Sequence, residues 1–289
     1  MSQTPLVAIV GQTASGKSAI AMQLAKEFNA EIIAADSWTV RKQLDIGTAK
    51  PSAGDRQSVG HHLIDIVEPC EDFTAVEFQR SAKTAIKDIA SRGKLPLLVG
   101  GTGLYVDSIL YDYSFSRKGS SKERERYNAM TIDELLKEAT GRNLNTSIID
   151  VRNKRRIIRL LETNGAVPQR RPLRPNTLVL GVKIPKQQLE SAIKQRVNQM
   201  IRSGLETEVR KLCEKYGWEC EGLKGIGYIE WRDFLDGDQT LEQTKQRIIQ
   251  STRQLAKRQH TWFKRSQDIN WCSSYEQVQH KMCTFLNQN

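Results

Sequence analysis

Gly11-Gln12-Thr13-Ala14-Ser15-Gly16-Lys17-Ser18 matches G-x-x-x-x-G-K-[ST] at every fixed position. Such a stretch reads as a phosphate loop only where it joins a strand to a helix, and both flanks are present. Leu6-Val7-Ala8-Ile9-Val10 is an unbroken apolar run, as expected of a parallel strand buried on both faces. After the loop, Ala21, Leu24, Ala25 and Phe28 recur at i, i+3, i+4 and i+7, one apolar stripe of a helix. Glycines let the backbone curl so that N–H groups point inward, the helix start adds partial positive charge, and Lys17 adds a full one. Ser18 offers a hydroxyl to a Mg2+ that shares the phosphates. The loop predicts a binder of polyphosphate or diphosphate.

Working outward, Glu31-Ile32-Ile33-Ala34-Ala35 reads as a second strand that delivers Asp36 and Ser37 at its carboxyl end. Ligands of open parallel sheets sit beyond that edge, so Asp36 falls on the side of the phosphate loop. Leu44 to Pro51 reads as a loop, and His61 to Val67 as a strand whose two histidines lack a third ligand at any metal spacing. Thr74-Ala75-Val76-Glu77 is a capping box that opens a helix with Phe78, Ala82, Ile86 and Ile89 along one side. Leu95 to Val99 returns as a strand ending in Gly100-Gly101-Thr102-Gly103. Phosphate-loop nucleotidases commonly hold Mg2+ with an acid at that point. Glycines and a hydroxyl stand here instead, which argues against an ordinary kinase or ATPase.

From Ser114 to about Asn145 the chain turns polar, with Ser116 to Ser121 as an exposed linker and a second capping box at Thr131-Ile132-Asp133-Glu134. The division this suggests is a first part of the core over 1–113, a helical insertion or lid over 114–150, and core completion with basic helices over 151–289. Arg155, Arg156 and Arg159 face outward on a helix whose Ile158 and Leu161 face inward. Thr177 to Ile184 is the last strand expected, and helices follow it. The expected class is α/β, a P-loop NTPase-like parallel sheet flanked by helices, with a small helical insertion and a helical C-terminal part.

Charge singles out one of those helices. Lys and Arg number 44 against 33 Asp and Glu, a formal net charge of +11. Between Thr244 and Arg265 there are seven Lys or Arg and no acid. Arg253, Lys257, His260 and Lys264 line one face, while Ile248, Leu255 and Trp262 hold another. A helix segregated in this way packs on the protein and shows its basic side to phosphates, which points to nucleic acid. The five cysteines, at 70, 213, 220, 272 and 283, form no C-x-x-C and share no zinc spacing with histidine. A reducing cytoplasm, with no signal peptide and no membrane partner, is the expectation.

The blocks together resemble the tRNA dimethylallyltransferases of bacterial type, the IPP transferase family. They are G-Q-T-A-S-G-K-S at 11, A-D-S at 35, L-D-I-G-T-A-K-P at 44, H-H-L-I-D-I at 61, L-V-G-G-T-G-L-Y at 98, R-R-I-I-R-L-L-E at 155, R-V-N-Q-M-I-R-S-G-L at 196, G-I-G-Y at 225 and T-R-Q-L-A-K-R-Q-H-T-W-F at 252. The resemblance implies an enzyme that prenylates the exocyclic N6 amine of the adenosine 3′ to the anticodon. Gly11 to Ser18 then cradles dimethylallyl diphosphate rather than ATP, with Mg2+ on Ser18. Asp36 takes the amine proton, Thr102 lies between nucleophile and leaving group, and Thr13 and Arg196 complete the catalytic set. tRNA contacts are implied at Asp36, Ser37, Trp38, Thr39 and Thr102, at Arg124, at Arg155, Arg156 and Arg159, and at Lys257, Arg258, Gln259, Trp262 and Lys264. The partner is the anticodon stem-loop, and the chain is expected to act as a monomer.

Among the departures from the family pattern, the first two below bear on substrate contacts, while Gln12 for proline, like Ser18 for threonine, is expected to be harmless. Trp38-Thr39-Val40-Arg41 replaces the usual run after Asp-Ser, Ile229 replaces a basic residue after Gly227-Tyr228, and Gln12 replaces the usual proline. Three other readings share these motifs: an adenylate isopentenyltransferase acting on free nucleotide, a P-loop small-molecule kinase, and a tRNA-binding relative without activity.

Overall fold

A computed structural model describes residues 4–115, 120–166 and 169–288. Most of the Ser116 to Ser121 linker therefore lies outside the described residues. The chain forms two compact units: Tyr111–Pro172, and the remainder on either side of it.

The larger unit is built on six parallel strands, β1 (Leu6–Gly11), β2 (Ala30–Ala35), β3 (His61–His62), β4 (Leu95–Gly100), β5 (Thr177–Val182) and β6 (Ile269–Cys272), in the order β3-β2-β4-β1-β5-β6. Every residue of β1 is buried, which accounts for its unbroken apolar run. In chain order its helices are α1 (Lys17–Glu27), α2 (Ala53–Ser58), α3 (Ala75–Ser91) and α4 (Gly103–Leu110). The smaller unit carries α5 (Ser121–Ala129), α6 (Ile132–Gly141) and α7 (Lys154–Glu162). The larger unit resumes with α8 (Lys186–Arg202), α9 (Leu205–Tyr216), α10 (Arg232–Leu235), α11 (Leu241–Phe263) and α12 (Tyr275–Asn287). Among the described residues, no helix is long and apolar enough to cross a membrane.

Topology places the functional loops side by side. β4 pairs with β1 on one side and β2 on the other, with Val10 and Ala35 both level with Gly100. The chain segments leaving β1, β2 and β4 therefore emerge as neighbours along one carboxyl edge. Those segments are the phosphate loop, Asp36-Ser37 and Gly101-Thr102.

Both predicted capping boxes form. Thr74 accepts the Glu77 amide and Thr131 accepts the Glu134 amide, while each glutamate returns to the cap amide. The expected core stripe of α3 is buried at Phe78, Ala82, Ile86 and Ile89.

The structure corrects three expectations at the level of elements. The strand expected over His61 to Val67 covers only His61–His62, because Leu63 and Asp65 take left-handed φ values of 62° and 57° and break it. A strand, β6, follows the basic helix, where only helix was expected past Ile184. β6 is four residues at the sheet edge, too short for its pattern to declare itself, and it takes its conformation from pairing with β5. Two cysteines are also paired: Cys70 and Cys220, 150 residues apart, form a disulfide. It fastens the segment after Val67 to the turn before Gly222, where the Gly222 amide also donates to the Pro69 carbonyl.

The smaller unit has its own core of Tyr127, Leu135, Ala139, Ile157, Ile158 and Leu161. It thus takes in α7, which the composition grouped with the completion of the core.

Candidate functional site

The phosphate loop leaves β1 and closes through a bond from the Ser15 amide to the Gln12 carbonyl, 3.3 Å. Gly16 adopts φ +86°, a left-handed conformation that suits glycine, and a methyl there would meet nothing within 4 Å, so the backbone is open to a ligand. α1 starts at Lys17 without a side-chain cap and with no acid in its first turn. Its first amides are left for an anion.

Beyond the loop lies a cavity of about 580 Å³. Thr13, Lys17 and Ser18 line one side, and Asp36, Trp38 and Thr39 another; Gly47 to Pro51, Arg196 and Ile226 contribute further wall. Ile32, Ala34, Ile64, Val99 and Leu255 give it apolar surface beside the charged groups.

Two cations and one carboxylate set its electrostatics. Burial pushes Lys17 down to about 8, the charge of Arg196 pushes the same way, and Asp36 opposes both. Arg196 is likewise lowered by burial and partly restored by Asp36. Two cations that repel one another in a partly enclosed space call for more negative charge than one carboxylate supplies. Lys17 meanwhile donates to the Gln12 carbonyl at 3.1 Å and Arg196 to the Thr48 carbonyl at 3.3 Å. Both are neutral partners that an anion can displace.

Asp36 and Thr102 meet where β2 and β4 end. One Asp36 oxygen accepts the Trp38 amide at 2.8 Å. The Thr102 hydroxyl accepts the Ser37 amide at 3.1 Å and lies 3.5 Å from the Ser37 hydroxyl. The Thr102 amide donates to the Ala35 carbonyl at 3.2 Å. A carboxylate, two hydroxyls and the phosphate loop therefore share one sheet edge.

The wall formed by Leu44 to Pro51 is held from below. The Glu208 carboxylate accepts the amides of Asp45, Ile46 and Gly47 at 2.8 to 3.1 Å, and the hydroxyl of the buried Tyr228 at 2.7 Å. Burial, with Glu208 adding to it, raises the Tyr228 phenol far above its ordinary value, so it stays protonated and donates to Glu208. Lys50, its side chain 2% exposed, pairs with Asp45 at 2.8 Å and with Asp65. The L-D-I-G-T-A-K-P and G-I-G-Y blocks thus meet at Glu208, a residue their spacing could not single out.

The residues expected to contact RNA divide into several groups. Lys257 and Arg258 are exposed on α11, together with Arg253 and His260, and Lys264 is exposed just past its end. Gln259 and Trp262 turn the other way. Gln259 is 8% exposed, and its amide accepts the Thr13 N–H at 2.7 Å and donates to the Gly101 carbonyl at 3.1 Å. The Trp262 indole donates to Asp107 at 3.0 Å and lies against Gly103. Trp38 packs on Gly225, so the departure from the family pattern there is a packing residue at the cavity wall. Ile229 is half-buried.

Within the smaller unit, Arg124 and Arg159 both reach Glu162, at 2.6 and 3.4 Å, and that carboxylate is fully buried. Arg155 and Arg156 are exposed on α7. Both histidines have protein partners, His62 bonding Glu31 at 2.7 Å and His61 the Val59 carbonyl at 2.8 Å, and His61 also lines the cavity.

Among the described residues, no three His, Cys, Asp or Glu side chains gather as a metal cage. The donors at the loop, the exposed Ser18 hydroxyl and the nearby Asp36, suit a hard cation that keeps water and takes most of its ligands from a bound diphosphate.

Known proteins resemble this chain in sequence and in fold. The family model described as IPP transferase matches residues 39–266, and that for isopentenyl transferase matches residues 4–67. A tRNA dimethylallyltransferase of Anoxybacillus flavithermus is 41% identical over 279 residues, 92% of this chain and 89% of that protein. The full-length tRNA isopentenylpyrophosphate transferase of Bacillus halodurans superposes with a TM-score of 0.77 at 34% identity, covering 99% of this chain and 98% of that one. A eukaryotic dimethylallyltransferase crystallised acting on tRNA gives 0.78 at 27% identity, over 94% of this chain and 74% of that one.

Proposed function

The chain belongs to the IPP transferase family, whose relatives above are tRNA dimethylallyltransferases, and on that premise we propose how it works. It transfers the dimethylallyl group of dimethylallyl diphosphate to the N6 amine of the adenosine 3′ to the anticodon, in tRNAs that read codons starting with U. Diphosphate is the other product. One observation carries the reading: two partly enclosed cations and an uncapped helix start converge on a cavity that the Asp36 carboxylate also lines, with Thr102 bonded to the residue after it.

The chemistry follows from that layout. The allylic carbon–oxygen bond breaks and its electron pair leaves with the diphosphate, whose growing charge Lys17, Arg196 and the amides from Gly16 to Ser18 stabilise. The amine nitrogen bonds to the freed carbon and gives its proton to Asp36. Thr102, fixed on Ser37, stands beside both events, and Thr13 lines the loop side of the cavity. The apolar stretch from Ile32 to Val99 receives the five-carbon chain. Mg2+ would be held by the Ser18 hydroxyl and would supply further positive charge to the leaving diphosphate.

The base must leave the anticodon-loop stack to reach the cavity. The exposed basic residues of α11, with Arg155 and Arg156 of α7, grip the RNA backbone. The enzyme works as a monomer in the cytoplasm with its tRNA.

Incubation with labelled dimethylallyl diphosphate and either tRNA or AMP tests the reading. Label in tRNA alone is expected. Label in AMP alone would make the acceptor a free nucleotide, and phosphoryl transfer from ATP without any prenyl transfer would make the chain a kinase.

A further inference from the structure

α11 is amphipathic, but its buried face is not wholly apolar. Thr244, Thr252 and Gln259 are buried on it. The first two donate to the carbonyls four residues back, Thr240 and Ile248, and Thr244 also accepts from the Gln239 side chain just before the helix. Gln259 instead reaches two loops of the active edge at once, bonding the Thr13 amide and the Gly101 carbonyl. A methyl on Gly101 would collide with the Gln259 amide nitrogen, so glycine there is the space this bridge occupies. One residue before Thr13, the Gln12 side chain donates to the Ala256 carbonyl of the same helix at 3.0 Å. The proline usual at that position in the family has no side-chain donor to make this bond.

We propose that Gln259 is a positioning residue for prenyl transfer rather than an RNA contact. Its single amide spans the loop that cradles the leaving diphosphate and the loop that carries Thr102, and so fixes the distance between them. The inference rests on the transferase reading above. With the Gln12 and Thr13 end pinned to α11, the open amides from Gly16 to Ser18 face the ligand from a fixed frame. Nucleophile, allylic carbon and leaving group must align closely, and small displacements there cost large factors in rate. Lys257 and Arg258 precede Gln259 on the same helix with their side chains exposed, so RNA gripped by them is referenced to the element that holds the diphosphate loop.

The test is Gln259→Leu, read by three measurements on the full chain: affinity for inorganic diphosphate by calorimetry, affinity for an anticodon stem-loop RNA by filter binding, and kcat and KM for transfer. Loss of two buried hydrogen bonds predicts diphosphate binding weakened about tenfold and kcat lowered about tenfold. RNA affinity should stay within about twofold. RNA binding weakened tenfold with diphosphate binding intact would make Gln259 an RNA contact, and no change in any measurement would also overturn the proposal. Should Gln259→Leu not fold, Gly101→Ala displaces the amide from the other side and should show the same pattern. That effect should vanish in a Gln259→Ala background, where the methyl has room; equal harm in both backgrounds would sink the idea. If the unmodified chain transfers no prenyl group, the functional reading falls, while the diphosphate calorimetry still decides whether Gln259 sets the loop.

Discussion

The Thr102 hydroxyl accepts the Ser37 amide at 3.1 Å, tying the ends of β4 and β2 together one residue away from Asp36. Asp36 in turn accepts the Trp38 amide at 2.8 Å, so its carboxylate is held at the cavity by its own backbone. Asn can accept that same bond yet cannot take up a proton. Asp36→Asn should therefore lower single-turnover transfer by about 10²- to 10⁴-fold, the usual contribution of a general base. Stem-loop affinity should stay within about twofold. Transfer that remains within tenfold of the original would assign the proton to another group.

Lys17 gives the site a pH dependence. Burial and Arg196 bring it down to about 8, so the free enzyme loses this positive charge as pH rises through 8. Diphosphate pairs with the protonated form, and its affinity should fall above pH 8 and level off below it. Lys17→Arg keeps its charge throughout, and diphosphate calorimetry from pH 6.5 to 9.5 compares the two proteins. The difference between them, which removes the ligand's own ionisation, should show a step near 8; parallel curves would free Lys17 of the role. The stability of the ligand-free fold moves the opposite way. Lys17 binds its proton less readily folded than unfolded, so stability should rise with pH between 8 and 10.5.

The exposed face of α11 gives a prediction specific to RNA. Lys257→Glu with Arg258→Glu places two acids where two cations stood on an acid-free stretch. Stem-loop affinity should fall at least tenfold, and the slope of log affinity against log salt should flatten by about 2. Diphosphate affinity should hold within about twofold. An unchanged salt slope would move the RNA to another surface.

How much of this was legible in the chain depended on how local each feature is. The phosphate loop, α1 and the two capping boxes are short-range patterns, and they form as their residues dictate. Asp36 was placed on the ligand edge by position, because the end of a buried parallel strand points there whatever the partner strands are, whereas Thr102 entered through the resemblance to the family. β6 takes its conformation from β5, and four residues carry too little periodicity to be recognised alone. Cys70 and Cys220 are brought together only when Gly222 packs against Pro69. Gln259 shows the limit most sharply. Set among Lys257, Arg258 and His260, it reads as part of an RNA-facing run, yet the turn of the helix carries it inward to Thr13 and Gly101.

Glu31, at the opposite end of β2 from Asp36, contributes to stability. Its side chain is 8% exposed and accepts from Lys94 at 2.8 Å, His62 at 2.7 Å and Arg92 at 2.6 Å. Burial alone would raise its pKa, but these three donors outweigh it and hold the carboxyl at about 2 against an ordinary 4.5. A depressed carboxyl adds stability that is fully present above the unfolded value and is lost as pH falls through the folded one. That contribution should therefore disappear between about pH 4.5 and 2. Lys94 and Arg92 are more than a third exposed and keep part of their hydration, so Glu31→Gln should cost about 2 kcal/mol at pH 7, less than for a fully buried pair. Urea unfolding at pH 7 and pH 3 measures both proteins. The gap between them should narrow at the lower pH, and a gap that persists would mean that Glu31 acts through packing rather than through its charge.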